Sequence, residues 1–295
     1  MNNTLKTIFL LGALSALVIG LGYLIAPSSL YLFGAIALAM NLGAYFFSDK
    51  LVLRMSHAQP LDRSQLPWLH DMVDELSHKA GIPAPRVFFI AEPQPNAFAT
   101  GRNPEHGVVA VTQGLVHLLD KREIRGVLAH ELAHIKNRDI LVSSIAAAGA
   151  SLITWVAHAL SFGAMFGGGG HDDEREGSAA GGLLVALVAP LAATLIQLGI
   201  SRSREYGADE TGAEISGDPE ALASALLKLE RGAHALPSEA SPATASLYIV
   251  NPFGGLETAA SWFSTHPATR ERIERLMAMA QGGGSRGVRT LFGAA

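Results

Sequence analysis

Long stretches without charged residues dominate the hydrophobic pattern of this chain. Thr7 to Ser48 contains no acidic or basic side chain, which leaves room for two membrane-spanning helices of about 20 residues each. Pro27 marks the turn between them. The uncharged runs from Ile140 to Gly170 and from Gly177 to Ser201 are also long enough to span, although they are richer in Ala and Gly. The pattern predicts four transmembrane helices in two hairpins, and a buried soluble hairpin is the alternative for the second pair.

The segment between the two hairpins has the periodicity of a soluble domain. Apolar residues from Leu61 to Ala80 fall on one helical face, and Gly81 marks the end of that helix. Three short apolar runs joined by turns follow, at residues 86–90, 96–100 and 108–111. They predict a small antiparallel β-sheet.

The next predicted helix covers Lys121 to Asp139. Leu128, Leu132 and Ile135 recur in it at spacings of three and four, and it contains no proline. We expect this helix to run directly into the third membrane span, which starts at Ile140.

Three further elements are predicted after the fourth span. Residues 201–209 continue as a helix, and Asp218 and Pro219 start another, with Asp as N-cap and Pro at the first helical position. A last helix runs from His266 to Ala280. Residues 233–262 are rich in Ser, Ala, Pro and Gly and predict a loop.

These elements divide the chain into five parts. They are an N-terminal transmembrane hairpin (1–48), the first part of a cytoplasmic domain (49–139), a second transmembrane hairpin (140–201), the second part of the domain (202–281) and a flexible tail (282–295). Only Lys6 precedes the first apolar run, and no small-residue cleavage site follows it, so we interpret the first helix as an uncleaved anchor. The Gly-rich acidic loop at 167–182 is interpreted as a connector.

Composition and charge support a membrane protein and set its orientation. Only 16% of residues are charged, against about 25% in soluble domains. The net charge of −4 gives no reason to expect a nucleic-acid partner. Residues 48–139 hold 11 of the 22 basic residues, and residues 202–295 hold nine. The excess of basic residues predicts that both long segments are cytoplasmic.

The predicted helix at 121–139 carries the clearest chemical motif. Residues 130–134 read His-Glu-Leu-Ala-His, so His130 and His134 lie on one helical face and can bind one metal ion. Glu131 projects beside that ion, where it can act as general base. The alternative is a chance pattern on an amphipathic helix. The chain has no cysteine, so any metal site must use His, Asp and Glu.

A catalytic zinc site needs a third protein ligand and an open position for water. Glu205, which lies where the chain leaves the second hairpin, is the best candidate, and His266 and Glu210 are rivals. Asp209 falls one helical turn after Glu205 and can orient a liganding histidine through a hydrogen bond. On spacing alone, surface ion pairs along this helix remain the alternative.

The motifs taken together resemble one protein family. His-Glu-Leu-Ala-His, Ser-Arg-Ser-Arg-Glu-Tyr-Gly-Ala-Asp at 201–209, Asn-Ala-Phe-Ala-Thr-Gly at 96–101 and Thr-His-Pro-Ala-Thr-Arg at 265–270 are similar to HtpX, a family of bacterial membrane zinc endopeptidases related to the CAAX prenyl proteases. The resemblance covers nearly the whole chain. It implies a predominantly α, zincin-like metalloprotease with four transmembrane helices, a small antiparallel sheet and one Zn²⁺ per chain.

The resemblance also implies roles for individual residues. His130, His134 and Glu205 match the metal ligands and Glu131 the general base, while His266 matches a position near the oxyanion; capping of the last helix is its alternative. Four residues match the edge strand along which substrate backbone lies: Asn96, Ala97, Phe98 and Ala99.

The implied function is quality control at the bacterial inner membrane. The expected substrates are unfolded polypeptides and cytosolic segments of damaged membrane proteins, with the lipid bilayer as the surrounding partner and the active site on the cytoplasmic side. Two alternatives stay open. One is a processing peptidase for prenyl-type substrates, whose relatives enclose a chamber with seven spans. The other is a non-catalytic scaffold that binds zinc structurally, which would not need Glu131.

Overall fold

The computed structural model describes residues 3–25, 27–147, 202–235, 247–250 and 267–282, and these ranges are mostly helical. The helices are α1 (Asn3–Ile25), α2 (Leu30–Met55), α3 (Pro67–Ala80), α4 (Gln113–Leu118), α5 (Lys121–Lys136), α6 (Arg202–Ser216), α7 (Pro219–Ala235) and α8 (Thr269–Ala280). The strands are β1 (Gln59–Pro60), β2 (Arg86–Ile90), β3 (Ala97–Thr100) and β4 (Val108–Thr112). Most of the second predicted hairpin, the loop at 167–182 and nearly all of the tail lie outside the described residues.

The two N-terminal helices pack against each other and expose apolar surface. A short 3₁₀ turn at Pro27–Ser29 joins them, which confirms the turn predicted at Pro27. The Asn41 side-chain amide donates to Ser15 Oγ at 2.7 Å and to the Leu11 carbonyl at 3.3 Å, so a polar contact links the two apolar helices. Among the described residues, α2 is the one helix long and apolar enough to cross a membrane. Four spans are therefore not established.

The sheet has four strands in the order β1-β2-β4-β3 and is mixed. β2 and β4 are parallel, with Arg86 opposite Val108, whereas β3 and β4 are antiparallel, with Phe98 opposite Ala110. The prediction of an antiparallel sheet was wrong because it assumed that consecutive strands pair. Instead β4, all of whose residues are buried, lies between β2 and β3. This order leaves β3 at the edge of the sheet, although its residues are also buried.

Two predicted helices begin later than their patterns indicated. The first starts at Pro67 and not at Leu61, because Asp62 and Gln65 form a turn in which the Ser64 amide donates to Asp62 Oδ1 at 2.8 Å. The last starts at Thr269 and not at His266.

Two other helix starts agree with the pattern. α7 begins at Pro219, and Asp218 Oδ1 accepts from the Ala221 amide at 3.1 Å, which confirms Asp218 as its N-cap. α5 begins after Asp120, whose side chain forms a reciprocal capping box with Glu123. Glu123 also accepts from Ser224 and Lys228, both at 2.7 Å, and these contacts tie the start of α5 to α7.

α5 does not run into the next apolar segment as predicted. It ends at Lys136, and Arg138 adopts the left-handed conformation with φ of 58°. The Arg138 amide donates to the Ile135 carbonyl at 3.1 Å and the Asp139 amide to the His134 carbonyl at 2.9 Å, which is a Schellman motif. A new helical segment then occupies residues 140–147. The stop was missed because glycine usually takes the left-handed position, and here an arginine does.

Candidate metal centre

α5 is the central helix of the domain formed by the sheet and α3 to α8, and its two histidines face the same place. It packs against α3, α6, α7 and β3, and its residues from Gly126 to Ala133 are buried. The rings of His130 and His134 meet edge to face, with centroids 4.7 Å apart and planes at 86°. The spacing of four residues therefore places both rings together, as the motif predicted.

Glu205 completes a group of three possible metal donors. His130 Nε2 lies 3.7 Å from Glu205 Oε2, and His134 Nε2 lies 3.6 Å from Glu205 Oε1. One donor atom from each of the three residues lies within 4.8 Å of the others. The rival Glu210 is exposed, and the other rival, His266, lies outside the described residues.

The donor set fits zinc in both chemistry and spacing. Two imidazole nitrogens and a carboxylate are the ligands of a known class of catalytic zinc sites. Ligand atoms about 2.1 Å from a tetrahedral ion lie about 3.4 Å from each other, close to the two separations seen here. His130, His134 and Glu205 are therefore close enough together to hold one ion.

Glu205 reaches the histidines because α6 lies unusually close to α5. A methyl group added to Gly212 of α6 would lie 2.9 Å from both the Cα and the amide nitrogen of His130. Any side chain at this position would push the helices apart. Gly212 thus lets the two helix backbones touch. Glu205 lies two turns before Gly212, in the first turn of α6, and from there its carboxylate reaches both histidines.

His130 is supported by a buried carboxylate and a buried guanidinium. Its Nδ1 lies 3.0 Å from Asp209 Oδ1, although the direction is poor for a hydrogen bond. Arg272 of α8 grips Asp209 through two bonds of 2.8 and 2.7 Å. Burial alone would raise the pKa of the Asp209 carboxyl, but the charge and hydrogen bonds of Arg272 outweigh burial and hold that pKa well below its usual range.

His134 has a separate support at the end of α5. Its Nδ1 lies 3.2 Å from Asp139 Oδ2, and Arg204 Nε lies 3.8 Å from Asp139 Oδ1. Burial lowers the pKa of His134, but the hydrogen bond that its Nδ1–H donates to Asp139 and the charges of Glu205 and Glu131 act against burial and raise the pKa to about 9. For His130, burial wins and its pKa is lowered.

Glu131 is buried beside this group and lines the same cleft as the two histidines and Glu205. Burial raises the pKa of its carboxyl to about 8, with the Glu205 charge acting in the same direction. The backbone amide of Ala99 in β3 donates to it. A carboxyl whose pKa lies near neutrality can both take and return a proton, as general base catalysis requires.

The predicted substrate strand forms one wall of the cleft. Phe98 and Ala99 line it, together with Leu247, Tyr248 and Ile249. Asn96, expected on that strand, is buried and accepts from the Ile249 amide through its side chain at 3.2 Å. Asn96 therefore ties the 247–250 segment to the start of β3.

Three residues near the centre were not predicted. Arg272, Asp139 and Arg204 are all buried. Arg272 has no sequence signal, because in a helical pattern it reads as one more surface cation. Asp139 offered one: a carboxylate five residues after a candidate ligand is within reach if the helix ends between them.

Comparisons with known proteins agree with this geometry. The model of peptidase family M48 matches residues 63–280, so the chain belongs to that family and is a metalloendopeptidase.

Among individual relatives, the chain is similar to a protease HtpX homolog of Syntrophobacter fumaroxidans, with 53% identity covering 95% of this chain and all of that protein. Homologs from Pelotomaculum thermopropionicum (51% identity, 94% of this chain and 99% of the relative) and Ralstonia pickettii (52%, 96% and 99%) carry the same name. A structural match to the crystal structure of S. mikatae Ste24p has a TM-score of 0.49 and 20% identity, and covers 93% of this chain and 65% of the other.

Proposed function

We propose that this protein is a membrane-bound zinc endopeptidase that cleaves cytosolic segments of damaged or misfolded membrane proteins. The observation that carries the proposal is the meeting of His130, His134 and Glu205 beside the buried Glu131. Three donors in the described residues leave a position for water, whereas a structural zinc site usually fills all four with protein ligands. The family membership and the HtpX relatives support the same reading.

Zinc, when bound, would supply a Lewis acid that polarises the scissile carbonyl and acidifies water. The other steps belong to the chain itself. Glu131 takes a proton from the attacking water and returns it to the leaving amine. His130 and His134 would hold the ion as neutral imidazoles, and Glu205 would hold it through its carboxylate. Asp209, whose Oδ1 lies 3.0 Å from His130 Nδ1, is proposed to orient the His130 ring.

Substrate backbone is proposed to lie along β3. Asn96 directs its carbonyl to the Thr112 amide on β4, so alternation places the backbone groups of Ala97 and Ala99 on the other side of the strand, toward the cleft. The Ala99 amide already donates to Glu131, so an extended peptide added there would use the remaining backbone groups of this edge, with little demand on its side chains. Such low selectivity suits an enzyme that degrades many unfolded segments. His266 is proposed to lie near the oxyanion on the family resemblance alone.

The membrane anchor limits which substrates can be reached. α2 carries no charged residue from Leu30 to Ser48 and ends only 12 residues before α3 begins, so the catalytic domain would stay near the bilayer. We propose the cytoplasmic membrane of a bacterium, with four spans and both long segments in the cytoplasm. Substrates would then be cytosolic loops and tails close to the membrane surface.

The decisive assay uses the full chain purified in detergent and an unfolded membrane-protein substrate. Cleavage should occur, stop after zinc is removed with a chelator, and return when zinc is added back. A prenylated C-terminal peptide serves as the second substrate. Cleavage of that peptide alone would favour a processing peptidase, and no cleavage of either with zinc bound would favour a scaffold.

Topology can be tested separately because the chain has no cysteine. Single cysteines replace Ser64, Ser178 and Ser285, and intact cells are treated with a membrane-impermeant thiol reagent. Only the cysteine at 178 should be labelled. Labelling at 64 or 285 would reverse the proposed orientation, and failure to label 178 would remove the second pair of spans.

A further inference from the structure

The turn that ends α5 brings Asp139 back toward His134. Because Arg138 takes the left-handed conformation, the chain reverses within two residues and the Asp139 amide bonds to the His134 carbonyl at 2.9 Å. The carboxylate then lies beside the ring, with Oδ2 at 3.2 Å from His134 Nδ1. A continuous helix through Ile140, as the sequence pattern predicted, would have carried Asp139 away from this ring.

Asp139 also contacts the helix that carries the third donor. Its Oδ1 lies 3.8 Å from Nε of Arg204, the residue before Glu205. Both side chains are buried, at 5% exposure for Asp139 and 8% for Arg204. Burial weakens screening by water, so an ion pair at this distance matters more here than on the surface. One carboxylate therefore touches a candidate ligand of α5 and the residue next to a candidate ligand of α6.

We propose that Asp139 is a positioning residue for the metal centre. It holds the proton of His134 on Nδ1, so that the lone pair of Nε2 faces the ion, and through Arg204 it links the His134 ring to the start of α6. Asp139 immediately precedes the helical segment at 140–147, and Arg204 lies three residues after the last undescribed residue of the second apolar region. The inference rests on the zinc site proposed above and adds a residue to it.

A purely structural role for Asp139 has to be separated from this one. Asp139 precedes the helical segment at 140–147, and its carbonyl accepts from the Ser143 amide at 3.3 Å, so it is also placed to cap that segment. Serine is as good an N-cap as aspartate, but its shorter side chain cannot reach His134. Asparagine keeps both the cap and a neutral acceptor. Asp139→Asn therefore removes only the charge beside His134, whereas Asp139→Ser removes the whole contact. Both variants keep a residue that can cap the helix.

The chain offers a matched control in Asp218. This residue caps α7 through the Ala221 amide and pairs with Arg122 at 2.6 Å, yet contacts none of the candidate ligands among the described residues. Asp218→Ser removes an aspartate from a helix cap and an arginine pair, as Asp139→Ser does. Asp218 lacks a histidine partner, and its carboxylate is more exposed, at 28% against 5% for Asp139.

The experiment measures zinc affinity of the full chain in detergent by competition with a chromophoric chelator. Asp139→Ser should weaken zinc binding about 10- to 100-fold, the range typical for loss of a carboxylate behind a histidine ligand. Asp139→Asn should fall between Asp139→Ser and the unsubstituted chain, and Asp218→Ser should change nothing. The visible spectrum of the cobalt-loaded chain should shift for Asp139→Ser and stay constant for Asp218→Ser.

The outcomes separate this inference from the function beneath it. If the unsubstituted chain binds one zinc and Asp139→Ser binds it equally well, the positioning role is overturned and the zinc site stands. Weaker binding accompanied by an equal loss of stability in the zinc-free protein would also overturn it, because the effect would then be on the fold. If the unsubstituted chain binds no zinc, the proposed function fails first.

Discussion

The two histidines of the candidate centre sit four residues apart but are supported in different ways. The His130 side chain is 1% exposed and contacts Asp209. Arg272 in turn donates two short hydrogen bonds to Asp209 in the interior of the domain. The His134 side chain is 15% exposed and contacts Asp139, which lies in the turn after α5. The nearest arginine, Arg204, is 3.8 Å from Asp139. The first support is part of the core, and the second belongs to the junction with the apolar segments. Damage to the first should cost stability, and damage to the second should cost metal affinity.

The largest expected effect is on the cleavage rate, and it comes from substituting Glu131, which lies between the two ligand histidines in the chain. Glu131→Gln keeps the shape and removes the base, so cleavage should fall about 10²- to 10⁴-fold. Zinc content and the unfolding midpoint should stay near those of the unsubstituted chain, since neither support is touched. Turnover of an unfolded membrane-protein substrate measures the loss. Retained cleavage would show that another group acts as the base.

Arg272→Met tests the support of His130. The substitution leaves Asp209 buried without its main partner, which should lower the free energy of unfolding by about 3–5 kcal/mol. Denaturant unfolding of the full chain in detergent measures it. Arg270→Met is the control on the same helix: Arg270 pairs with Glu274 at 2.9 Å on the exposed face, and such a pair contributes about 0–1 kcal/mol. Equal losses in the two variants would remove the distinction between core and junction.

Glu205→Gln tests the donor that both histidines share. A neutral amide is a poor zinc ligand, so zinc binding should weaken by more than the roughly 100-fold expected from losing a partner behind a ligand. Glu210→Gln, on the exposed face of the same helix, should bind zinc normally. Metal analysis after dialysis compares them. Equal zinc retention in both would mean that the third ligand lies elsewhere.

The smallest effect concerns the turn under His134. Arg138 pays a conformational cost in the left-handed region that glycine does not. Arg138→Gly should therefore raise the free energy of unfolding by about 1 kcal/mol and leave zinc affinity unchanged, because the turn is kept. Asn137→Gly, at the neighbouring right-handed position, should bring no gain. A stabilisation at both positions would show that the gain does not come from relief of the left-handed conformation at Arg138.

The sequence predicted what depends on local spacing and missed what depends on distant contacts. The helix around His130, the N-cap at Asp218 and the three strand positions follow from periodicity and turn residues, and the structure contains them. The parallel pairing of β2 with β4 was missed because strand order is decided by burial of the whole sheet. The buried Arg272 was missed because its partners come from α6 and the 247–250 segment, far away in the chain.

The candidate site shows the same division. Two donors are visible in one helical turn, whereas Glu205 was only one of three candidates on spacing and was favoured by the family resemblance. Its position depends on how α6 packs on α5, which no local pattern encodes. Asp139 depends on an arginine in a backbone conformation that usually selects glycine. Such exceptions to turn chemistry are invisible until the chain is folded.

The contact between Gly212 and the backbone of His130 has a consequence for how this enzyme can vary. The backbones of α5 and α6 are in direct contact there, and a methyl group at Gly212 would lie only 2.9 Å from the His130 backbone. The distance between the two helices is therefore set by backbone atoms, which every residue has. Core side chains around the centre can then be exchanged without retuning the ion's coordination, provided that this glycine stays. Substituting larger or smaller neighbours should therefore change the metal preference very little. The preference should depend more on the length of the donor side chain at position 205.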